Sequence, residues 1–361
     1  MPLKPLSSIY GITPYTPGKS KAAAGVSKII KLSSNETPIG PSPKAIEAYN
    51  AAVKTLHRYP DGGSTQLRQA IAQVYELDAD RIVCGAGSDE VIGMLCKAYA
   101  EAGSDVIYTE HGFLMYPIYA MIAGATPVAV KEADLRADID AILAAVTPKT
   151  RIVFLANPNN PTGSYVTRDE LWRLRKGLRD DILLVIDGAY AEYVSEKDYS
   201  DGIELVEKTD NTVVTRTFSK IYGLASLRIG WGYCPADVAD VLNRVRGPFN
   251  TAACAQVAAV AAVLDAEHTA KAKAFNDEWL PWVSQQCRDM GLHVYPSVAN
   301  FILISFPGGA QQAIAANDWL MERGIIPRMV ANYGLPACLR ITIGKEDENM
   351  AFVKSLKEFI G

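Results

Sequence analysis

The sequence predicts an α/β fold: a large, mostly parallel sheet with helices on both faces, joined to a smaller α+β unit. Short apolar runs alternate with helix-length segments from residue 44 to residue 245, which is the order of repeated βα units. Two of the runs, Arg151-Ile-Val-Phe-Leu-Ala156 and Ile182-Leu-Leu-Val-Ile-Asp187, are continuous rather than alternating, as suits parallel strands covered on both faces. The pattern breaks at Arg246-Gly-Pro-Phe-Asn250.

In chain order, strands are expected near 81–84, 105–109, 127–130, 151–155, 182–187, 212–216 and 229–233. Residues 41–250 then form the large domain. From Ala252 to Met290 small apolar and helix-forming residues dominate, and Gly291 is a natural stop, so this stretch is expected to be one long helix linking the two domains. Strands near 293–296, 300–305, 325–329 and 338–343, with helices near 309–323 and 346–359, complete the smaller domain, so that 251–361 is the linking helix and C-terminal unit.

The chain has 361 residues, 49% of them hydrophobic, enough for one large and one small core. Its 36 basic and 40 acidic side chains give a net charge of −4, so no electrostatic footprint for nucleic acid is present. Met1-Pro-Leu-Lys-Pro-Leu-Ser-Ser lacks the apolar core of a signal peptide, and the longest apolar runs are strand-sized. A cytoplasmic location is therefore expected, with no membrane partner. Six cysteines show no Cys-x-x-Cys spacing and read as buried free thiols rather than disulfides or a metal site. Of four scattered histidines, His57, His268 and His293 read as ordinary surface or core residues, and His111 stands close to Phe113.

The chemistry concentrates at the ends of the expected strands, where open α/β sheets bind their ligands. Thr217-Phe-Ser219-Lys220, with Arg228 eight positions after the lysine, follows the β-branched run Asn211-Thr-Val-Val-Thr215. A lysine held there can form a Schiff base with a carbonyl cofactor, while two hydroxyls and a guanidinium hold its phosphate. Asp187 ends a buried strand and Tyr190 follows it. A carboxylate in that place can keep a pyridine nitrogen protonated, and the phenol can donate to a phenolate oxygen on the same ring. Asn160, in a turn dense with Asn, Pro and Gly, has an amide for the same oxygen. In Cys84-Gly-Ala-Gly87-Ser88-Asp89-Glu90 a glycine turn opens a helix, whose free N–H groups suit a phosphate. The dinucleotide fingerprint fails there, because its last glycine is replaced by Glu90.

Together these segments resemble the fold-type-I pyridoxal-phosphate aminotransferases of class I and II, and more closely their histidinol-phosphate aminotransferase branch. The matching motifs run in the family's order: Ser34-Asn35-Glu36, Arg58-Tyr59-Pro60, Gly87-Ser88-Asp89-Glu90, Asn157-Pro-Asn-Asn160-Pro-Thr-Gly163, Asp187-x-Ala-Tyr190, Arg216-Thr-Phe-Ser-Lys220, Ala299-Asn-Phe301 and Cys338-Leu-Arg340. The resemblance implies that Lys220 holds pyridoxal 5'-phosphate as an imine and that Asp187 pairs with the ring nitrogen. It further implies that Tyr190 and Asn160 contact the phenolate oxygen and that Ser88, Asp89, Thr217, Ser219 and Arg228 hold the phosphate. Tyr59 joins them from the other subunit of a homodimer whose active sites are shared. Phe113 takes the ring-stacking place usually held by Tyr. Arg340 is implied as the clamp for the substrate's carboxylate or phosphate, with Arg328, Tyr15 and Asn35 as further substrate contacts. Residues 1–40 are implied to be a mobile arm packing on the small domain or across the dimer. Gly188 and Ser226 stand where the family usually has Glu and Gly.

The expected reaction is ping-pong transamination, with histidinol phosphate as amino donor and 2-oxoglutarate as acceptor. An aromatic amino-acid aminotransferase shares every cofactor motif and stays open as a reading. So do a threonine-phosphate decarboxylase and a non-catalytic scaffold.

Overall fold

The computed structural model describes residues 3–19 and 28–361. Seven strands form the large sheet: β2 (Ile82–Gly85), β3 (Asp105–Thr109), β4 (Thr126–Val130), β5 (Thr150–Ala156), β6 (Leu183–Asp187), β7 (Thr212–Thr217) and β8 (Gly230–Tyr233). Their spatial order is β2-β8-β7-β6-β5-β3-β4. All neighbours run parallel except at β8, which is antiparallel to both β2 and β7. The α/β class and the seven strand positions agree with the sequence reading.

Alternation along each strand divides the sheet into two cores. Val153, Leu155, Leu184, Ile186 and Val214 face helices Pro43–Ala52, Thr65–Tyr75, Arg168–Gly177 and Ala253–Val263. Ile152, Phe154, Leu183, Val185 and Val213 face helices Ser88–Tyr99, Met115–Ile122 and Ala236–Val245. This parity has a functional consequence: Asp187 and Thr215 extend the second set, so their side chains emerge on the face covered by Met115–Ile122.

The smaller unit holds a four-stranded antiparallel sheet in the order β12-β13-β10-β9, built from β9 (His293–Val294), β10 (Phe301–Ser305), β12 (Arg328–Met329) and β13 (Cys338–Thr342). Helices Gly309–Glu322 and Glu346–Ile360 cover it. Three expectations need correction. The stretch 325–329 is two strands in two different sheets, because Pro327 between them has no N–H to continue a ladder. The single helix expected over 252–290 is two, Ala253–Val263 and Ala266–Asp289. Asp265 interrupts it with a non-helical backbone, its carboxylate engaged by Ser42 and by Lys44 at 2.9 Å. The first of these helices packs in the large core, whereas the second carries Ala272 there and Trp279, Val283 and Cys287 into the small core.

The third correction concerns only the mobility expected of the arm, of which residues 1, 2 and 20–27 lie outside the described residues. Its later part packs on the smaller unit, one of the two placements expected, as a fixed strand: β1 (Ile30–Lys31) pairs in parallel with β11 (Ile325–Ile326), and Leu32, Ser33 and Asn35 are buried. All six cysteines are buried and free.

One charge cluster ties the turns after β6 and β7 together. Arg216 on β7 is 2% exposed and donates to Glu192 at 3.0 Å and to Asp201 at 2.6 Å. Tyr75 donates to the same Glu192 oxygen at 3.0 Å and meets the Tyr222 hydroxyl at 2.8 Å. Gly188 explains itself here, since a Cβ on it would stand 3.2 Å from Cδ and Nε of Arg216. Removing one partner of a buried ion pair strands the other without solvent. Glu192→Ala is therefore expected to lower unfolding free energy by about 3–5 kcal/mol. Arg244→Ala, which breaks the exposed pair with Asp240, should cost under ~0.5 kcal/mol. Denaturant titrations of the two variants check the contrast.

Candidate active site

A cleft opens where the C-terminal ends of β5, β6 and β7 meet β12, β13 and the segments around Tyr15 and Ser33–Glu36. Tyr15, Asn35, Ser88, Asp89, Phe113, Asn160, Asp187, Tyr190, Thr217, Ser219, Lys220, Arg228, Arg328 and Arg340 all line it. Residues scattered over more than three hundred positions of sequence are thus brought to one place, because parallel strands present the same end to the same side.

Asp187 forms the floor. Its carboxylate is buried and accepts from Tyr116 Oη at 2.8 Å and Thr215 Oγ1 at 3.1 Å. Both donors are neutral, and among the described residues no Lys, Arg or His forms an ion pair with it. Burial pushes its pKa up, against those hydrogen bonds. A buried carboxylate so placed is completed by a cation arriving from the cleft.

Lys220 follows β7 on a tight turn, and its Nζ donates to the Ser34 carbonyl at 3.0 Å. Burial, and after it the charge of Arg340, depresses its pKa from 10.5 to about 7. An amine near neutrality at physiological pH is a nucleophile as well as a base. Tyr190 Oη accepts from Asn35 Nδ2 at 2.8 Å, which leaves the phenol proton free for another acceptor; burial raises its pKa to about 12. Asn160 accepts from Arg340 through Oδ1, so its NH₂ remains to donate.

On the opposite wall is an anion cup. Helix Ser88–Tyr99 opens from Gly87 with no side-chain cap, leaving its first N–H groups available. Gly87 has φ +87°, and a Cβ there would lie 2.5 Å from Arg228 Nη2, so only glycine lets the guanidinium close on the helix end. Arg228 itself sits at φ 50°, a strained conformation for a non-glycine residue. It donates to Ser219 Oγ at 3.1 Å, and Thr217 Oγ1 accepts from Ser219 N at 3.1 Å.

Beyond Lys220, Arg328 and Arg340 stand directly opposite each other on β12 and β13. Both are buried, and among the described residues neither has a carboxylate partner. Arg328 donates to the Thr16 carbonyl and Arg340 to the Ser33 carbonyl, each at 2.8 Å. Nε of Arg340 has no partner, and burial lowers that side chain's pKa. Tyr15 and Tyr333 complete this end of the cleft. Like charges opposed across a ladder repel, so the pair is completed by an anion.

Two candidates lie elsewhere. Tyr59 is 82% exposed on the surface of this chain, stacked on Phe249 with ring centroids 4.6 Å apart. His111 is paired with Glu132 at 3.0 Å and does not line the cleft. Sequence reasoning overlooked Tyr116, Thr215 and the Ser33 and Ser34 carbonyls; alternation along Leu339–Ile343 puts Thr342 on the face of Arg340 but assigns it no role. Strand parity could have found Thr215, which shares a face with Asp187. The carbonyls carry no signal in residue type. A phosphorylated pyridine aldehyde fits this set: the cup suits its phosphate, Asp187 its ring cation and Lys220 its aldehyde carbon.

The depressed lysine has a stability signature. Between pH of about 7 and 10.5 the folded chain binds fewer protons than the unfolded one, so cofactor-free stability rises with pH through that window and the penalty is complete below it. Lys220→Met should therefore raise the melting temperature of the cofactor-free protein by a few degrees at pH 6.5, with the gain fading toward pH 10. Thermal melts across that range check it; a gain independent of pH would mean the amine is not perturbed.

Comparison with known proteins agrees with this geometry. The aminotransferase class I and II family model matches residues 27–356. The chain is 58% identical over 358 residues to a histidinol-phosphate aminotransferase of Paramagnetospirillum magneticum, covering 99% of this chain and 98% of the relative. It is 52% identical over 357 residues to one from Rhodopseudomonas palustris, with the same coverage. A crystal structure of histidinol-phosphate aminotransferase from Sinorhizobium meliloti in complex with pyridoxal-5'-phosphate superposes with a TM-score of 0.91 at 28% identity, over 99% of this chain and 98% of that one. A family match over nearly the whole length, with full-length relatives above half identity, leaves one assignment: the chain belongs to the aminotransferase class I and II family, on its histidinol-phosphate aminotransferase branch.

Proposed function

We propose that this enzyme transfers the amino group of histidinol phosphate to 2-oxoglutarate, with pyridoxal 5'-phosphate as its resident cofactor. The observation that carries the substrate is the pair of buried, facing arginines without an acidic partner among the described residues. Histidinol phosphate has no α-carboxylate and presents a phosphate near charge −2 at neutral pH. Two guanidinium groups match that dianion, whereas a lone carboxylate leaves one positive charge buried and uncompensated. The names borne by the relatives, and the cofactor in the Sinorhizobium structure, support the same reading.

The bound cofactor supplies an electron sink for the carbon that loses its proton. The chain supplies the rest. Asp187 stabilises a positive charge at the ring nitrogen, and the hydroxyls of Tyr116 and Thr215 keep its carboxylate fixed. Tyr190 and Asn160 donate toward the phenolate side of the ring. Ser88, Asp89, Thr217, Ser219 and Arg228 hold the phosphate, and Phe113 covers a face. Lys220, close to neutral at working pH, accepts the proton from the substrate carbon and returns it on the cofactor side. In the second half-reaction the same two arginines face 2-oxoglutarate, itself a dianion with two carboxylates.

The reading extends to a homodimer. Ile46, Tyr49, Val53 and Leu56 leave an apolar stripe exposed on one side of helix Pro43–Ala52 and the turn after it, close in sequence to the exposed Tyr59. A stripe of that kind is unusual on a free monomer. Tyr59 then reaches the phosphate cup of the other subunit. Dilution to monomer is expected to release cofactor and activity together, and Tyr59→Phe to weaken cofactor binding without altering the fold. A fully active monomer in analytical ultracentrifugation would refute this.

The substrate assignment is tested by Arg328→Ala. Loss of one charge-assisted contact, about 1.5–3 kcal/mol, should raise KM for histidinol phosphate roughly 10- to 150-fold, with a much smaller change for phenylalanine and an unaltered visible spectrum. Equal losses for both donors would make Arg328 a structural residue.

A further inference from the structure

Three consecutive residues, Ser33, Ser34 and Asn35, each touch a different functional group. The Ser33 carbonyl accepts from Arg340 at 2.8 Å, the Ser34 carbonyl accepts from Lys220 at 3.0 Å, and the Asn35 amide donates to Tyr190 at 2.8 Å. The anion clamp, the amine and the phenol are therefore joined by one short stretch of chain. That stretch belongs to neither the large sheet nor a helix, and Asn35 sits at φ 57°, a left-handed conformation that asparagine tolerates better than most residues.

Thr342 holds Asn35 in place. Its Oγ1 accepts from Asn35 N at 2.9 Å and donates to Asn35 Oδ1 at 3.1 Å, while its own N–H donates to the Leu32 carbonyl at 2.9 Å. The two side-chain bonds fix the backbone and the orientation of the amide together: with Oδ1 occupied by the threonine hydroxyl, Nδ2 must face Tyr190. Asn300 adds a bond from Nδ2 to the Asn35 carbonyl at 3.0 Å. Thr342 does not line the cleft. It lies two residues beyond Arg340 on β13, so a single strand grips the segment at Ser33 and at Asn35 and leaves the Ser34 carbonyl between them, against Lys220.

We infer that Thr342 is a positioning residue for transamination, holding Ser34 and Asn35 so that the lysine amine and the Tyr190 proton are aimed while the clamp arginine is engaged. The inference rests on the proposed function only for its turnover readout. Because Asn35 already donates to the phenolic oxygen, the Tyr190 proton is directed away from Asn35 and toward the ring; a loosened Asn35 lets the phenol turn. The cost then falls on the cofactor's titration and on proton transfer rather than on binding of the substrate anion.

The test compares Thr342→Val, which keeps shape and deletes the hydroxyl, with Thr342→Ser, which restores it. In the holoenzyme of the valine variant the pH midpoint of the visible band, near ~420 nm for this cofactor, should rise by on the order of half a unit, since one donor to the phenolate side is weakened. Cofactor-free Thr342→Val should take up pyridoxal phosphate roughly 3- to 10-fold more slowly, because the amine is less well aimed. Its kcat with histidinol phosphate should fall about 10-fold with KM changed less than about 2-fold. Thr342→Ser should behave as wild type in all three. A Thr342→Val protein that melts earlier but keeps the wild-type midpoint, uptake rate and kcat would overturn the inference and leave Thr342 a packing residue. Should the valine variant fail to fold, Asn35→Asp carries the test: it replaces the donor to Tyr190 by an acceptor and must move the midpoint upward, and an unchanged midpoint would overturn the inference equally. A wild-type enzyme that ignores histidinol phosphate would instead overturn the substrate reading, leaving the midpoint and uptake results to decide on Thr342.

Discussion

Asp187, Arg328 and Arg340 are buried and Lys220 is half-buried, and no ion pair within the described chain neutralises any of them. Leaving ionisable groups in that state costs free energy that a protein built only for stability would avoid, either by pairing them or by replacing them with apolar residues. The contrast with Arg216 is one of charge: that buried guanidinium is paired with the carboxylates of Glu192 and Asp201 within the same molecule. On the proposed function, the missing partners of the four unmatched groups come from outside: a ring cation for Asp187, an aldehyde carbon for Lys220 and an anion for the two arginines. The cleft is therefore a mould in charge as well as in shape, and binding energy is concentrated on the ligands that complete it.

The scaffold makes this strain affordable to the fold as a whole. Two hydrophobic cores clamp the seven-stranded sheet from both sides, and a third fills the smaller unit. Asp187 ends β6, Lys220 follows β7 on a turn and Arg328 opens β12, whereas Arg340 stands in the middle of β13. Polar groups from distant segments fix each of them: Tyr116 and Thr215 for Asp187, the Ser34 carbonyl for Lys220, the Thr16 and Ser33 carbonyls for the arginines. Small and large units thus meet in part through the functional groups themselves, as where Arg340 donates to Asn160.

Much of this was legible in the amino-acid sequence. Continuous apolar runs located the buried parallel strands, and the chemistry placed just after them, Asp187, Lys220 and the Asn160 turn, was found because such strands end at the ligand side of the sheet. What escaped was contact information with no local pattern. Nothing near Tyr116 announces that it points at Asp187, since it reads as one apolar residue in the helix Met115–Ile122. The β1–β11 pairing was missed because each strand is two residues long and 295 positions separate the paired Ile30 and Ile325. The helix break at Asp265 depends on Ser42 and Lys44, more than two hundred positions away, so residue propensity alone favoured one continuous helix.

Selection of a phosphate-bearing donor by the facing arginines is read out by titrating the cofactor-loaded wild-type enzyme, without any keto-acid acceptor, with histidinol phosphate and separately with phenylalanine, and following loss of the visible band. Half-bleaching by histidinol phosphate is expected at a concentration at least ~10-fold lower than by phenylalanine, the expected weight of one charge-assisted contact. Bleaching by phenylalanine with no response to histidinol phosphate would contradict it.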